Sequence, residues 1–468
     1  MSKGGFLPPG EPDRLLYNSG DGTFVDASEE VGIDEVQASY ATAVGDYDAD
    51  GQLDLYVSKF RGQYNALFHN VAGQFKDERR RRRVISYQRF TGSAAAFSDF
   101  DLDGDIDLYA SMYGTHDLFY AETGDLYYVA TQVGDEGDAV GIAMGDYDAD
   151  GDFDLYVVNQ TWRSVLWRND LDTKKFVDVA SQSGVENQGS GTGCAFGDYD
   201  NDGDLDLFVV NARGANRVYM NRGDGTFKDV AFALGMVDSV RTRAVLLSDY
   251  DNDGDLDPYV VNERHSNRLY RNDGDSSDWL QVRLRGSESN RNAVGARVTL
   301  YAGSRTIHRQ VNGTAGMALS SRLVHFGLGR EGRVDSLVLH WPNGRVQRAT
   351  SLPINRRIEF VEGLRPTAVR EDNALPEDMQ LLPNYPNPFN SETRIAFTLP
   401  EPTRVRIVVY NALGQSVRTL LSSDMEAGRH ELTWDGRNDQ EISIASGVYF
   451  YRLYAKDHVR SRSLVLLR

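Results

Sequence analysis

Twenty aspartates stand at positions one, three, five and nine of a nine-residue stretch that occurs five times. They are the side chains of this chain best suited to chemistry. The first copy holds Asp46, Asp48, Asp50 and Asp54, with Gln52 at position seven. The second holds Asp99, Asp101, Asp103, Asp105 and Asp107, and the third Asp146, Asp148, Asp150, Asp152 and Asp154. The fourth holds Asp198, Asp200, Asp202, Asp204 and Asp206, and the fifth Asp249, Asp251, Asp253, Asp255 and Asp257. Carboxylates at alternate positions of a curling chain converge, and a hard cation that takes six to eight oxygens at flexible geometry suits them. Glycine at position six (Gly51, Gly104, Gly151, Gly203, Gly254) permits the sharp turn. Position seven can give a backbone carbonyl, so Gln52 is tolerable there. All twenty-five residues are candidate ligands for Ca²⁺, at about five sites. An EF-hand would carry glutamate at position twelve between helices. Here that position is Val57, Ala110, Val157, Val209 or Val260.

The elements that must position these loops are strands. The copies follow one another at steps of 53, 47, 52 and 51 residues, which is a repeat architecture. After each loop comes alternating apolar patterning, such as Leu207 to Val210, and before it a small-residue run, such as Gly193 to Gly197. A further pair, Asn216–Asn221 and Thr226–Val230 about a Gly-rich turn, reads as a hairpin. Four strands per fifty residues describe one propeller blade. Residues 14–24 match the hairpin that normally follows a loop, so the chain is expected to start in mid-repeat and to have lost an N-terminal portion. A ring of six or seven blades is expected. Pro258 removes a strand donor and predicts an irregular or edge-lying fifth blade.

The expected fold class is all-β, in four stretches. Residues 1–275 are the propeller and 276–363 a smaller all-β domain. Residues 364–384 are a linker, and 385–468 an immunoglobulin-like β-sandwich. The formal charge of −19 argues against nucleic acid as a partner, and five divalent ions would bring it to −9. The single cysteine, Cys194, excludes disulfides within the chain and a Cys-cluster metal site. No apolar run is long enough for a transmembrane segment. Met1–Gly10 lacks the apolar stretch of a signal peptide.

The loops, with Val44, Phe97, Met144, Phe196 and Leu247 just before them, resemble FG-GAP/VCBS repeats. That resemblance covers about residues 13–275 and implies a calcium-bearing β-propeller, as in integrin α-subunit heads and many bacterial surface proteins. Asn292–Val298, His325–Gly329 and Val334–Gly344 resemble the ASPIC/UnbV domain, which brings no settled activity. Asn384–Phe389, Leu413–Gln415, Trp434–Gly436 and Ser446–Leu453 resemble a type IX secretion sorting domain of the hook-capping immunoglobulin type. The resemblance implies a secretion-machinery partner and a secreted or outer-membrane surface location. A truncated N-terminus reconciles that export with the missing signal peptide.

Three further features are less specific. Gly327, Gly329 and Gly332 fit a dinucleotide spacing but open no helix, so they read as a hairpin turn. His308, His325 and His340 lie within 33 residues and read as strand-surface histidines rather than a transition-metal set. The basic run Arg79–Arg83 after Glu78 reads as a solvated loop, with an acidic polysaccharide as the sharper alternative. The expected function is binding or adhesion: a propeller face that takes an extracellular protein or carbohydrate, with no catalytic residues. The alternative is a polysaccharide-active lyase or hydrolase on the same scaffold.

Overall fold

The structure is a computed structural model. It describes residues 13–466 except 21–22, 34–38, 60–62, 85–90, 114–115, 122–128, 134–136, 172–174, 238–239, 275–276, 314–322, 331, 369–378, 383, 385–386, 388, 391, 412–413, 426 and 457. The first ten residues and most of the expected linker lie outside the described residues, as do Tyr385, Pro386 and Pro388.

Each loop-bearing repeat is one antiparallel sheet. In the third blade Ala139–Gly145 pairs with Asp154–Asn159, then Val165–Asp170, then Lys175–Asp178. The first, second and fourth blades have the same four-strand order. The nine-residue aspartate loop always joins the first strand to the second. First strands of successive blades pack on one another, so they lie innermost. The apolar core fills the gaps between consecutive blades. Tyr156, Val158 and Leu166 of the third blade, for instance, meet Cys194, Leu207 and Tyr219 of the fourth. Burial pushes the Cys194 thiol far up, so it is an inert core residue.

The N-terminal hairpin, Leu16–Asn18 with Phe24–Asp26, forms a two-stranded sheet of its own, as read from the sequence. The described residues therefore hold five loop-bearing blades and this half-blade. Among the described residues the fifth blade has three strands, Thr242–Ser248, Asp257–Asn262 and Arg268–Leu269. Pro258 sits in its middle strand opposite Leu247, and its carbonyl accepts the Tyr270 N–H. Among the described residues the irregularity of this blade is the lack of a fourth paired strand, with pairing maintained on both sides of the proline.

Residues 278–368 form a two-sheet sandwich. One sheet runs Leu323–Gly329, Asp278–Arg285, Arg356–Val361, Thr367–Ala368, and its two central strands are parallel. The other runs Arg305–Gln310, Arg297–Ala302, Val334–His340, Val346–Leu352. Leu280, Val298, Phe326, Leu337 and Phe360 fill the space between them. One edge expected from the sequence shifts. The sheet continues to Ala368 rather than ending at Gly363, because Thr367 and Ala368 pair with Glu359 and Ile358. The propeller and this module fall within one compact unit, Met1–Ala368, while the module keeps a core of its own.

The second unit, Val369–Arg468, is a β-sandwich with sheets of three and four strands. Trp434 is buried at its centre against Phe389 and Tyr449. Its indole N–H donates to the Arg437 carbonyl at 2.9 Å.

Candidate metal centres

The five loops share one backbone path. Position four has positive φ in every copy, from 54° at Ala49 to 63° at Asn252, and position six follows at 88° to 100°. The glycine at six is therefore a conformational requirement, as read from the sequence. The left-handed residue at four was missed there. Asn201 and Asn252 suit that conformation, whereas Ala49, Leu102 and Ala149 adopt it at a cost of roughly 1 kcal/mol each.

This path divides the aspartates by task. The position-nine carboxylate is buried and clamped by backbone. Asp206 accepts from the Tyr199 N–H and from the Asn221 N–H, both at 2.8 Å. Asp54, Asp154 and Asp257 repeat the arrangement with Asn70, Asn169 and Asn272. The position-five carboxylate accepts the position-seven N–H, at 2.8 to 3.0 Å across the five loops. At position one, Oδ2 accepts the N–H of the position-six glycine, as Asp46, Asp99 and Asp249 do at 3.2 Å. Its other oxygen behaves differently. Oδ1 of Asp46, Asp99, Asp146, Asp198 and Asp249 is buried in all five copies without a hydrogen-bond partner, as is Oδ1 of Asp48 and Asp148.

Positions one, three and nine offer carboxylate oxygens within 4.8 Å of one another in the first four loops. In the first loop Asp48 and Asp50 also group with His69, whose Nε2 stands 2.9 Å from Asp48 Oδ2. Elsewhere position seven turns to neighbouring groups. Asp204 faces Arg305 at 3.6 Å, Asp255 accepts from Asn201 Nδ2 at 2.6 Å, and Asp152 accepts the Leu171 N–H. Gln52 bonds to Asp50.

Burial raises the clustered acids, and in most their neighbouring carboxylates add to it. Asp46 and Asp99 are pushed up to about 6, Asp146 and Asp198 to about 7, and Asp54 to about 8. Asp154 and Asp206 rise well above the usual range for the same reason. A buried acceptor without a donor and a carboxylate with unrelieved charge are both satisfied by a cation. The oxygen-only donor set of the second, third and fourth loops fits a hard divalent ion such as Ca²⁺ better than a thiophilic one.

Gly327 is neither a phosphate-loop glycine nor a turn: it lies in a strand, and its N–H donates to Asp198 Oδ2 at 2.8 Å. A Cβ there would come within 2.4 Å of Asn201 Cα, so only glycine allows the approach. His325 is buried with its Nε2 2.6 Å from Asn201 Oδ1, while His308 and His340 belong to the other sheet of that module. Within the basic run Arg81 is exposed, but Arg82 is buried 4.7 Å from the Tyr47 ring centre and 3.7 Å from Asp48. The solvated-loop expectation therefore fails at Arg82.

The 278–368 module lies against all five loops. The Glu288 carbonyl stands over Gly51, Ser98 just before the second loop donates to Gln310, His308 lies beside Gly151, Arg309 donates to the Gly203 carbonyl, and the Trp279 ring covers Gly254. These contacts, and the asparagines that bond the position-nine acids, were not read from the sequence.

Family models match all three parts of the chain. The model for FG-GAP-like repeats matches residues 7–57, 146–209 and 198–260. That for ASPIC and UnbV matches 286–366, and that for the FlgD Ig-like domain 385–458. Among curated proteins, cartilage acidic protein 1 of Xenopus tropicalis is 25% identical over 401 residues, covering 65% of this chain and 61% of the relative. Its Mus musculus counterpart is 25% identical over 277 residues, 50% of this chain and 42% of the relative. The chain thus spans less than two thirds of these relatives' length. Among solved structures, PorZ, described as a bacterial surface component of the type IX secretion system of Porphyromonas gingivalis, aligns at 12% identity. That alignment covers 89% of this chain and 58% of PorZ with a TM-score of 0.32. Dimeric latent PorU of the same organism aligns at 11% identity over 92% and 34%, with a TM-score of 0.18.

Proposed function

We propose that this chain, which carries FG-GAP-like repeats, an ASPIC/UnbV domain and a FlgD Ig-like domain in that order, is a calcium-stapled propeller that binds an extracellular protein or carbohydrate. The observation that carries the calcium reading is the partnerless, buried Oδ1 of the position-one aspartate, repeated five times. When bound, the ion neutralises the facing carboxylates and ties each loop to its blade. The chain's own residues prepare this. Backbone N–H groups orient positions nine and five, and the left-handed turn at four and six brings one and three inward.

With the loop face held by the 278–368 module, a partner would use the opposite ends of the blades, where second and third strands turn. Those turns expose Trp162, Arg213 and Arg264. Around Glu263 three arginines gather: Arg243 at 2.6 Å, Arg241 at 3.5 Å and Arg264 at 3.8 Å. One carboxylate against three guanidinium groups leaves positive charge in an otherwise acidic chain, which favours an anionic partner such as an acidic glycan. The resemblance of residues 385–468 to a sorting domain supports delivery to the cell exterior.

The test is binding of the full chain to an array of acidic and neutral glycans, with and without calcium. Retention on acidic glycans that fails for Arg241→Ala/Arg243→Ala is expected. Equal retention by that variant would place the binding surface elsewhere, and steady release of shortened polysaccharide would favour the enzyme instead.

A further inference from the structure

The position-one aspartates are held from two sides. Their inner oxygen, Oδ1, is the partnerless one; their outer oxygen, Oδ2, accepts the loop's own glycine N–H in Asp46 and Asp249 and, in the first, fourth and fifth loops, a donor from the 278–368 module as well. Asn290 Nδ2 donates to Asp46 Oδ2 at 3.3 Å. The Gly327 N–H donates to Asp198 Oδ2 and Gln281 Nε2 to Asp249 Oδ2, each at 2.8 Å. These three donors come from three separate segments of the module and reach three different blades. All three choose the same oxygen. Guanidinium groups stand farther out on the same side: Arg309 is 4.0 Å from Asp198 Oδ2, and Arg357 4.0 Å from Asp249 Oδ2.

The donors are themselves held. Asn290 Oδ1 accepts the Val294 N–H at 2.9 Å, and its Nδ2 also reaches the Val294 carbonyl. The side-chain Oε1 of Gln281 accepts twice from Arg357, at 2.8 and 3.1 Å. Gly327 is locked in a strand beside Asp278–Arg285. Such groups fix a carboxylate's rotamer before any ion arrives, as residues behind metal ligands do elsewhere.

We propose that the 278–368 module completes the metal sites of the propeller: it positions the leading carboxylate of the first, fourth and fifth loops through its outer oxygen, leaving the inner one for the ion. Metal binding and seating of the module then reinforce one another, because each orders the carboxylate that the other uses. This rests on the calcium reading above. It gives the ASPIC/UnbV domain a task that its fold alone does not supply.

Two arms test it on the full chain. In the first, calcium affinity is measured by competition with a chromophoric chelator for the wild type, Asn290→Ala, Gln281→Ala and the double variant. Substitutions behind metal ligands cost on the order of 10- to 100-fold in affinity. One site should weaken by that order in each single variant, and two in the double. Arg283→Ala, an exposed position on the strand of Gln281, should bind as the wild type does. Affinities of all three variants within twofold of the wild type would overturn the proposal. The second arm needs no variant, so it decides the matter even if substitution prevents folding. Chelation should raise amide hydrogen exchange in 286–294 and 323–329, with less change in 334–340. Exchange at the seam that ignores calcium would overturn the proposal. A wild type that binds no calcium would instead remove the calcium reading, and the linkage with it.

Discussion

The aspartates of one loop are not interchangeable. Asp206 accepts two buried backbone N–H groups, so Asp206→Ala leaves Tyr199 and Asn221 without acceptors. Each orphaned donor costs about 1–3 kcal/mol. The variant should melt several degrees lower by scanning fluorimetry even in excess chelator. Asp200 is different: it is exposed at the loop surface, and partial desolvation together with its neighbour Asp202 pushes it up to about 6. Asp200→Asn removes that repulsion while keeping the shape. In chelator the variant should match or exceed the wild type, and in calcium it should gain less. A sign change between the two conditions separates a metal ligand from a structural acceptor. The same chemistry sets a pH dependence. Asp46, Asp146 and Asp54 are raised to about 6, 7 and 8, above the unfolded value of about 4. The metal-free folded chain therefore holds protons more tightly than the unfolded chain, and stability present at pH 4 is lost as pH rises through 6 to 8. With calcium saturating, protons compete with the ion and the slope reverses. Melting temperature against pH, with and without chelator, should give lines that converge at low pH. Parallel lines would count against ion binding at these carboxylates.

Between blades the connection is an asparagine. Asn221 donates its N–H to Asp206, and its Nδ2 bonds to the Leu205 carbonyl at 3.1 Å and to the Tyr147 carbonyl of the preceding blade at 2.8 Å. Asn272 does the same toward Tyr199, and Asn169 toward Phe100. Asn221→Ala should therefore destabilise by about 1–3 kcal/mol, and Asn221→Asp by a similar amount, since a carboxylate cannot donate to Tyr147. A denaturant midpoint for Asn221→Ala equal to the wild type would mean that the interblade bond is dispensable. How legible these features were follows from their range in sequence. The loops were legible because their ligands sit two residues apart and repeat. The asparagines lie 15 or 16 residues after the position-nine aspartate. That constant offset was in the sequence as a repeat signal, and a loop-centred reading passes over it. The bulge that opens every innermost strand, at Tyr40, Ser93, Val140, Thr192 and Arg243, has no residue type in common, so composition could not reveal it. Contacts such as Gly327 on Asp198 bridge 129 residues and needed the fold.

At the scale of the molecule, stability divides as the chain does. The unit Met1–Ala368 holds all five loops, whereas Val369–Arg468 has its own core around Trp434, Tyr451 and Leu466. A ligand that binds only the folded state stabilises by RT ln(1 + [L]/Kd), about 2.7 kcal/mol per site at a hundredfold excess over Kd. Several sites in one cooperative unit would add, and the second unit would gain nothing. Calorimetry of the full chain should thus show two transitions, and calcium should move one of them upward by well over ten degrees while leaving the other in place. Because the 278–368 module shares the first unit's seam, its unfolding should travel with the propeller, and the moving transition should carry more than three quarters of the enthalpy, roughly in proportion to the residues involved. A third transition, calcium-independent and sized for about ninety residues, would show that the module melts apart from the loops it covers. A single transition that ignores calcium would mean that the carboxylates are compensated within the chain, by groups such as Arg82 and Arg309, and that the propeller stands without an ion.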